Sequence, residues 1–218
     1  MLRISATLLD SFRLLKEADF MTPDEFDARI RRDPIEPSRA MQLGTAFHAI
    51  AEGLAWKGIG ESNEEVYEHD GFLFDAESSD EALKHLVGGV SEAKQEVVIN
   101  SPFGPIAIVG KADYLRGVTA DEIKTKDKEF DLMNYADAWQ WRTYCRVFGV
   151  QRVIYHLCRL EQDEETGVWL VRSHEMLPLY AYPGVNADVE AAALDLAKYS
   201  ADLGLLNYLR QSSEKKSA

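Results

Sequence analysis

The sequence contains little cysteine. Only Cys145 and Cys158 occur among 218 residues. Two thiols are too few for a four-cysteine iron–sulfur cluster, and a single pair does not make the dense disulfide framework of small secreted domains. We therefore expect no iron–sulfur cluster, and two reduced thiols in the core of a cytoplasmic protein.

Long hydrophobic runs are also missing. No stretch approaches the roughly 20 consecutive apolar residues that a membrane-spanning helix needs, and the first residues do not have the form of a signal peptide. We predict no membrane partner. The length suits one large domain with a sizeable core. We expect that domain to cover residues 1–210, with an acidic insertion at 57–94 and a disordered polar tail at 211–218.

Basic residues are scarce relative to acidic ones. The chain has 24 Lys and Arg against 37 Asp and Glu, for a net charge of −13. This balance argues against a protein that binds a polyanion over its whole surface. However, residues 111–159 hold nine basic and seven acidic residues, whereas the remainder holds 15 and 30. The middle of the chain is therefore its most basic part.

Two predicted strands in this middle segment carry acidic residues and a lysine. The first covers residues 105–114, and its alternation places Lys111 and Asp113 on one face. In the second, Glu122 and Lys124 share a face, which excludes Asp121 from their group and points Ile123 toward the core. The short glycine-containing interval between the strands predicts a hairpin turn, so that Asp113 comes close to Glu122.

This hairpin has two interpretations. A solvated strand face with a cross-strand ion pair produces the same pattern. Alternatively, two carboxylates and a lysine hold a divalent metal beside the water that the metal activates, which is an arrangement that hydrolyses phosphodiesters.

A helix is predicted after the hairpin, at residues 135–148, with Asn134 as its N-cap and Gly149 following its end. Two pairs spaced by four residues each share a face: Gln140 with Tyr144, and Arg142 with Arg146. Another helix is predicted before the hairpin, capped by Ser38 and with apolar spacing to Leu54. His48 lies at the edge of its apolar stripe, where a lone histidine is usually structural, and Gly44 suggests close backbone approach.

The remaining segments are read from their caps and alternation. Thr22-Pro23-Asp24-Glu25 predicts a capped helix through Arg31. A short helix is predicted at 80–87, strands are predicted at 95–100, 151–160 and 168–176, and a final helix is predicted from Asn186 to about Arg210. Around the hairpin the order is therefore helix, three strands, helix, strand. We predict an α/β fold with a central mixed sheet flanked by helices, an added hairpin strand and a C-terminal helix.

Several short stretches match one family in order. They are Ile4-Ser5-Ala6-Thr7-Leu8-Leu9, Leu43-Gly44-Thr45-Ala46-Phe47-His48, Gly110-Lys111-Ala112-Asp113, Asp121-Glu122-Ile123-Lys124-Thr125, and Gln140-x-x-x-Tyr144. On these, the chain resembles PD-(D/E)XK nucleases of the RecB-like kind, especially RecE-type exonucleases of phages and prophages. The resemblance covers residues 1–160 and implies the restriction-endonuclease-like core, α-β-β-β-α-β. The second acidic position is Glu122, a glutamate, which that family allows.

The resemblance implies a role for each matching residue. His48, Asp113 and Glu122 match the metal ligands, together with the backbone carbonyl of Ile123. Asp113, Glu122 and Lys124 match the catalytic set, in which the lysine orients the attacking water. Gln140 and Tyr144 match the pair that supports the site and touches DNA. Lys111, Lys126, Arg142 and Arg146 are the basic side chains expected along a DNA groove. Hard oxygen ligands with one imidazole suit one or two ions of Mg²⁺ or Mn²⁺.

The function implied by the resemblance is a metal-dependent DNA exonuclease that resects duplex ends from the 5′ strand. Relatives of this kind work in recombination or repair with a single-strand annealing protein, and several form homo-oligomeric rings. Three alternatives stay open. They are a Cas4-like exonuclease acting on single-stranded DNA, a non-catalytic DNA-binding or scaffold protein that retains the fold, and a phosphodiesterase for small nucleotides.

Overall fold

A computed structural model describes residues 1–17, 20–60, 63–86 and 88–210. Its strands are β1 Leu2–Ser5, β2 Trp56–Ile59, β3 Glu65–His69, β4 Phe72–Asp75, β5 Val90–Ile99, β6 Ile106–Arg116, β7 Thr119–Lys126, β8 Arg152–Gln162 and β9 Trp169–Tyr180. Its helices are α1 Ala6–Lys16, α2 Pro23–Arg31, α3 Arg39–Ala51, α4 Ala76–Leu83, α5 Leu132–Asp137, α6 Trp139–Phe148, α7 Val185–Asp202 and α8 Leu206–Arg210. In the part of the chain so described, no helix is both long and apolar enough to span a bilayer.

The strands form one mixed sheet in the order β1-β6-β7-β8-β9-β4-β3-β2, and β5 lies outside this order and pairs with β6 along most of its length. Strand β7 runs parallel to β8, while β6 is antiparallel to β7. Adjacent residues of β8 pack into different hydrophobic clusters, Leu157 with α6 and Cys158 with α3. Because neighbouring side chains on a strand point to opposite faces, α6 and α3 cover opposite faces of the sheet.

The predicted core order α-β-β-β-α-β is confirmed and corresponds to α3, β5, β6, β7, α6 and β8. Local capping signals are confirmed as well. The Ser38 side chain accepts a hydrogen bond from the backbone of Met41 at the start of α3. Thr22 and Glu25 form the predicted capping box at the start of α2. Gly149 ends α6 in the left-handed conformation, with φ of 68°.

The prediction of one helix over residues 135–148 is wrong. Two helices occupy this region, and Asp131, rather than Asn134, caps the first. Ala138 separates them in an extended conformation, with φ of −59° and ψ of 141°. The second helix begins at Trp139 because the Asp10 carboxylate of α1 accepts the Trp139 N–H at 2.5 Å. A contact between residues distant in sequence therefore sets where α6 begins.

The predicted final helix is also divided. Gly184, rather than Asn186, precedes α7, and Gly204 adopts a left-handed φ of 72° between α7 and α8. The predicted helix at 80–87 begins earlier, at Ala76 with Asp75 as its cap. Residue 87 lies outside the described residues, as does the predicted tail at 211–218. Within the acidic insertion at 57–94, β2 to β4 extend the sheet beyond β9, and α4 and the first residues of β5 follow them.

Candidate active site

Strands β6 and β7 pair over only three positions and then separate. The pairs are Tyr114 with Asp121, Leu115 with Ala120, and Arg116 with Thr119. We call the point of separation the fork. Asp113 and Glu122 are the first residues beyond the last pair. The Ile123 N–H donates to Asp113 Oδ2 at 2.7 Å, so that a side chain bridges the two strands where their backbones part. The predicted proximity of the two strands at this point is observed.

Helix α3 brings His48 to the fork. A side-chain carbon added to Gly44 would lie 3.0 Å from Thr125 Oγ1, so glycine permits the close approach of α3 to β7. His48 Nδ1 lies 3.5 Å from Asp113 Oδ1. Burial lowers the pKa of His48, but its interaction with Asp113 outweighs burial and leaves that pKa above its ordinary value. For Asp113 the directions are reversed. Burial raises the pKa of its carboxyl group, but the interaction with His48 outweighs burial and leaves that pKa below its ordinary value.

The carboxylate of Glu122 is buried and held by three donors. Its Oε1 accepts hydrogen bonds from Lys124 Nζ at 2.9 Å and from Gln140 Nε2 at 2.7 Å. Its Oε2 accepts a hydrogen bond from the Tyr144 hydroxyl at 3.0 Å. Burial raises the pKa of Glu122, Lys124 opposes that shift, and the charge of Asp113 adds to it. A nearby cation would therefore favour the ionised carboxylate.

Lys124 is the cationic group of this cluster. Burial lowers its pKa, but the charge of Glu122 more than compensates, so the pKa lies above the ordinary lysine value. Its ammonium also lies 5.7 Å from the centroid of the Tyr155 ring. In this geometry the Lys124 ammonium donates a hydrogen bond to Glu122 and places a positive charge beside that carboxylate.

The four basic side chains expected along a DNA groove have different local partners. Arg142 stacks on Trp141, with its guanidinium 4.8 Å from the ring centroid, and Arg146 pairs with Glu190 of α7 at 2.8 Å. Lys111 is exposed and pairs with Glu92. Lys126 lies about equally far from the rings of Phe130 and Tyr135, at 5.6 and 5.5 Å. Contact of these four with DNA stays a prediction.

Sequence reasoning missed two residues that support the elements around the site, Asp10 and His156. Asp10 caps α6 from α1, and burial raises the pKa of its carboxyl group. Asp121, correctly excluded from the Glu122 cluster, is fully buried and bonded to Arg116 and His156. No local pattern identified His156, because its partner is 35 residues away in sequence.

The donor set fits a divalent cation. As the side chains stand, residues 1–17, 20–60, 63–86 and 88–210 hold no group of three His, Cys, Asp or Glu close enough to bind a metal. The acceptor capacity is nevertheless present. A carboxylate has about four lone-pair sites, and the contacts above use three on Glu122. His48 and Asp113 add an imidazole and a second carboxylate, donors that suit Mn²⁺ and Mg²⁺.

A second polar feature is a cavity of about 510 Å³ on the β1 side of the fork. We call it the basic pocket, after four of its lining residues, Arg3, Arg29, Arg32 and Lys94. Its described lining also contains the hydroxyls of Ser5, Thr7 and Ser11. No acidic residue belongs to that lining, although Arg3 pairs with Glu96 at 2.7 Å. Ser5 pairs with Val109 of β6, four residues before Asp113, which is about 13 Å along a strand. The pocket is therefore a local basic region within an acidic chain.

Comparison with known proteins shows the fold. No protein-family profile matches the chain, and no curated protein matches it in sequence. The structure resembles SSO0001, with a TM-score of 0.51, 15% identity, and coverage of 91% of this chain and 77% of that one. It also resembles a protein described as "Putative exonuclease" from Eubacterium rectale, with a TM-score of 0.52, 11% identity, and coverage of 99% and 90%.

An alkaline exonuclease from Laribacter hongkongensis aligns with a TM-score of 0.48, 14% identity, and coverage of 94% of this chain and 91% of that one. At the identities of all three structures, likeness concerns the fold alone. The central mixed sheet flanked by helices that the sequence predicts is therefore confirmed as a fold shared with a protein described as an exonuclease.

Proposed function

We propose that this protein is a Mg²⁺- or Mn²⁺-dependent deoxyribonuclease that acts as an exonuclease on DNA ends. The observation that carries the proposal is the convergence at the fork of His48, Asp113, Glu122 and Lys124 from three separate elements. A scaffold protein has no chemical need for two carboxylates, an imidazole and a buried ammonium together. Removing such groups from water is costly even when they are paired, and clusters of this kind concentrate at functional sites.

In this proposal His48, Asp113, Glu122 and the Ile123 carbonyl hold the cation. When bound, the ion supplies a water more acidic than bulk water and positive charge beside the phosphate. The protonated Lys124 orients the attacking water and offsets the negative charge that develops on the phosphate oxygens. Gln140 and Tyr144 hold Glu122 in place. Water attacks phosphorus and gives up a proton to solvent, the phosphorus–oxygen ester bond breaks, and the leaving oxygen takes a proton from solvent.

DNA as the substrate is supported by the basic pocket. The net charge of −13 favours a non-catalytic alternative, but the pocket brings four basic side chains near the fork, of which Arg3 is paired with Glu96. Phosphate groups bind such cation-rich, hydroxyl-lined surfaces. A small nucleotide needs only the site itself, whereas a DNA strand can reach both the fork and the pocket.

The finer proposal follows the resemblance. We propose that the protein works in the cytoplasm of a bacterial or phage-infected cell. There it resects duplex ends for recombination or repair together with a single-strand annealing protein. We also propose that it forms a ring-shaped homo-oligomer. The alternative with the same chemistry is digestion of single-stranded DNA. End-labelled single and double strands, incubated with the purified protein with and without Mn²⁺, distinguish the two substrates.

The site residues are tested in the same assay. Glu122→Ala should weaken Mn²⁺ binding in calorimetry, and Lys124→Ala should abolish cleavage while leaving DNA affinity intact. Lys198→Ala is the control, because Lys198 is an exposed surface lysine paired with Asp202. If neither strand type is cut under any metal condition, the enzyme proposal fails. Cleavage by Lys124→Ala at the wild-type rate removes the lysine from the mechanism.

A further inference from the structure

A second buried cluster lies immediately beside the candidate active site but faces the other side of β7. Asp121 is fully buried. Arg116 grips its carboxylate with two hydrogen bonds, from Nε to Oδ2 at 2.8 Å and from Nη2 to Oδ1 at 2.7 Å. His156 Nε2 lies 3.0 Å from Oδ1. The three residues belong to β6, β7 and β8, so one carboxylate connects three neighbouring strands.

The position of this cluster is as informative as its bonds. Asp121 pairs with Tyr114, which is the last pair before β6 and β7 separate. The next residue on β7 is Glu122, and the residue before Tyr114 on β6 is Asp113. Both proposed carboxylate ligands are therefore attached directly to the last pair held by the cluster. A shift of one strand at this point would move the two carboxylates relative to each other.

The network reaches beyond these three strands. His156 Nδ1 lies 3.1 Å from Nε2 of His174 on β9, and Arg116 Nη1 donates to the carbonyl of His85 at 2.6 Å. Backbone pairing holds β6 and β7 together weakly, because the two strands share only three backbone pairs. The side-chain network adds fixed, directional contacts where backbone contacts end.

Stability does not explain these residues. A buried ionic network loses the hydration of every charged group, and well-packed apolar side chains of similar volume often give an equally stable or more stable protein. What a two-pronged guanidinium–carboxylate contact adds is a defined orientation of both partners. The cluster therefore fixes the relative positions of its strands more than it adds to the free energy of folding.

We infer that Arg116, Asp121 and His156 form a clasp that fixes the fork and thereby sets the distance between the carboxylates of Asp113 and Glu122. The clasp residues touch neither substrate nor metal and are positioning residues for the site. The inference rests on the proposed function for its consequence in metal binding, but the clasp itself is a property of the strands.

The clasp can be tested in the full-length protein without metal. Asp121→Asn keeps the side-chain volume and removes the charge that holds Arg116. Amide hydrogen exchange at Ile123 and its neighbours on β6 and β7 should then accelerate about tenfold more than the loss of global stability, measured separately by denaturant unfolding, accounts for. Glu190→Gln is the matched control, because Glu190 also pairs with an arginine but between α6 and α7. If Asp121→Asn leaves the exchange rates at the fork unchanged, the clasp inference is overturned.

Metal binding tests the positioning role. By titration calorimetry, Asp121→Asn should bind Mn²⁺ about tenfold more weakly, an effect typical of residues that orient metal ligands. A triple variant, Arg116→Met with Asp121→Leu and His156→Phe, should keep the wild-type unfolding midpoint yet show the same weakened binding. Wild-type affinity in both variants overturns positioning. If the wild-type protein binds no Mn²⁺, the proposed function fails instead, and the exchange result alone decides the clasp.

Discussion

Replacing Tyr144 with phenylalanine tests how firmly the site holds the carboxylate of Glu122. The hydroxyl lies 3.0 Å from Glu122 Oε2 and 2.8 Å from Gln140 Nε2, and it also contacts the Lys111 carbonyl. The side chain is 1% exposed, so water does not replace the lost group. Because hydrogen bonds to charged groups contribute about 1.5–3 kcal/mol, we expect Tyr144→Phe to lower the free energy of unfolding by about 2 kcal/mol.

Tyr155 is the matched control. Its side chain is 0% exposed, and its hydroxyl has no hydrogen-bond partner among the described residues. Tyr155→Phe therefore removes the same oxygen atom from an equally buried ring without breaking a hydrogen bond. We expect this change to leave the free energy of unfolding unaltered or to raise it, because a buried hydroxyl without a partner carries a desolvation cost.

Thermal unfolding followed by circular dichroism measures both variants. For a chain of this size, about 2 kcal/mol corresponds to a fall of about 4–8 °C in the unfolding midpoint. The expected result is such a fall for Tyr144→Phe and none for Tyr155→Phe. Equal midpoints for the two variants would refute the reasoning, since they would mean that the hydroxyl network around Glu122 has no energetic weight.

Two further outcomes are expected. Arg29→Ala should reduce DNA affinity and flatten its dependence on salt by about 0.7–0.9 in a log–log plot, because one phosphate contact of the basic pocket is lost; an unchanged slope in fluorescence anisotropy contradicts that role. Burial, followed by the charges of His156 and His85, lowers the pKa of His174 to about 4 from 6.5. As the pH is lowered, the unfolded chain therefore takes up a proton at this histidine before the folded protein does, so the free energy of unfolding should decrease from pH 6.5 to pH 4. In unfolding titrations, His174→Gln should remove the part of this decrease that the histidine causes.

Much of the fold could be predicted from the sequence because its signals are local. A capping box needs only Thr22 and Glu25 three residues apart, and Gly149 is conformationally free to end a helix whatever surrounds it. Strand alternation separates Glu122 and Lys124 from Asp121 without knowledge of any partner strand. The central mixed sheet flanked by helices follows from these elements and their order.

The helix boundary at Trp139 could not be predicted in this way. Asn134 as a cap and Gly149 as an end signal predict one continuous helix over residues 135–148, but the Asp10 carboxylate accepts the Trp139 N–H, and a new helix starts there. The hydrogen bond joins residues that are 129 positions apart, so neither local sequence contains the information. A tertiary contact overrode the local capping signals at this point.

The candidate site divides along the same line. By itself the sequence determined which residues are acidic, which faces of the strands they occupy, and that His48 lies on a helix before them. Only the tertiary structure decided that His48 lies 3.5 Å from Asp113 and that Glu122 turns to Lys124, Gln140 and Tyr144. It also decided that Asp121 meets His156. Periodicity assigns a side chain to a face, whereas the orientation of a buried carboxylate depends on which donors the rest of the fold brings within reach.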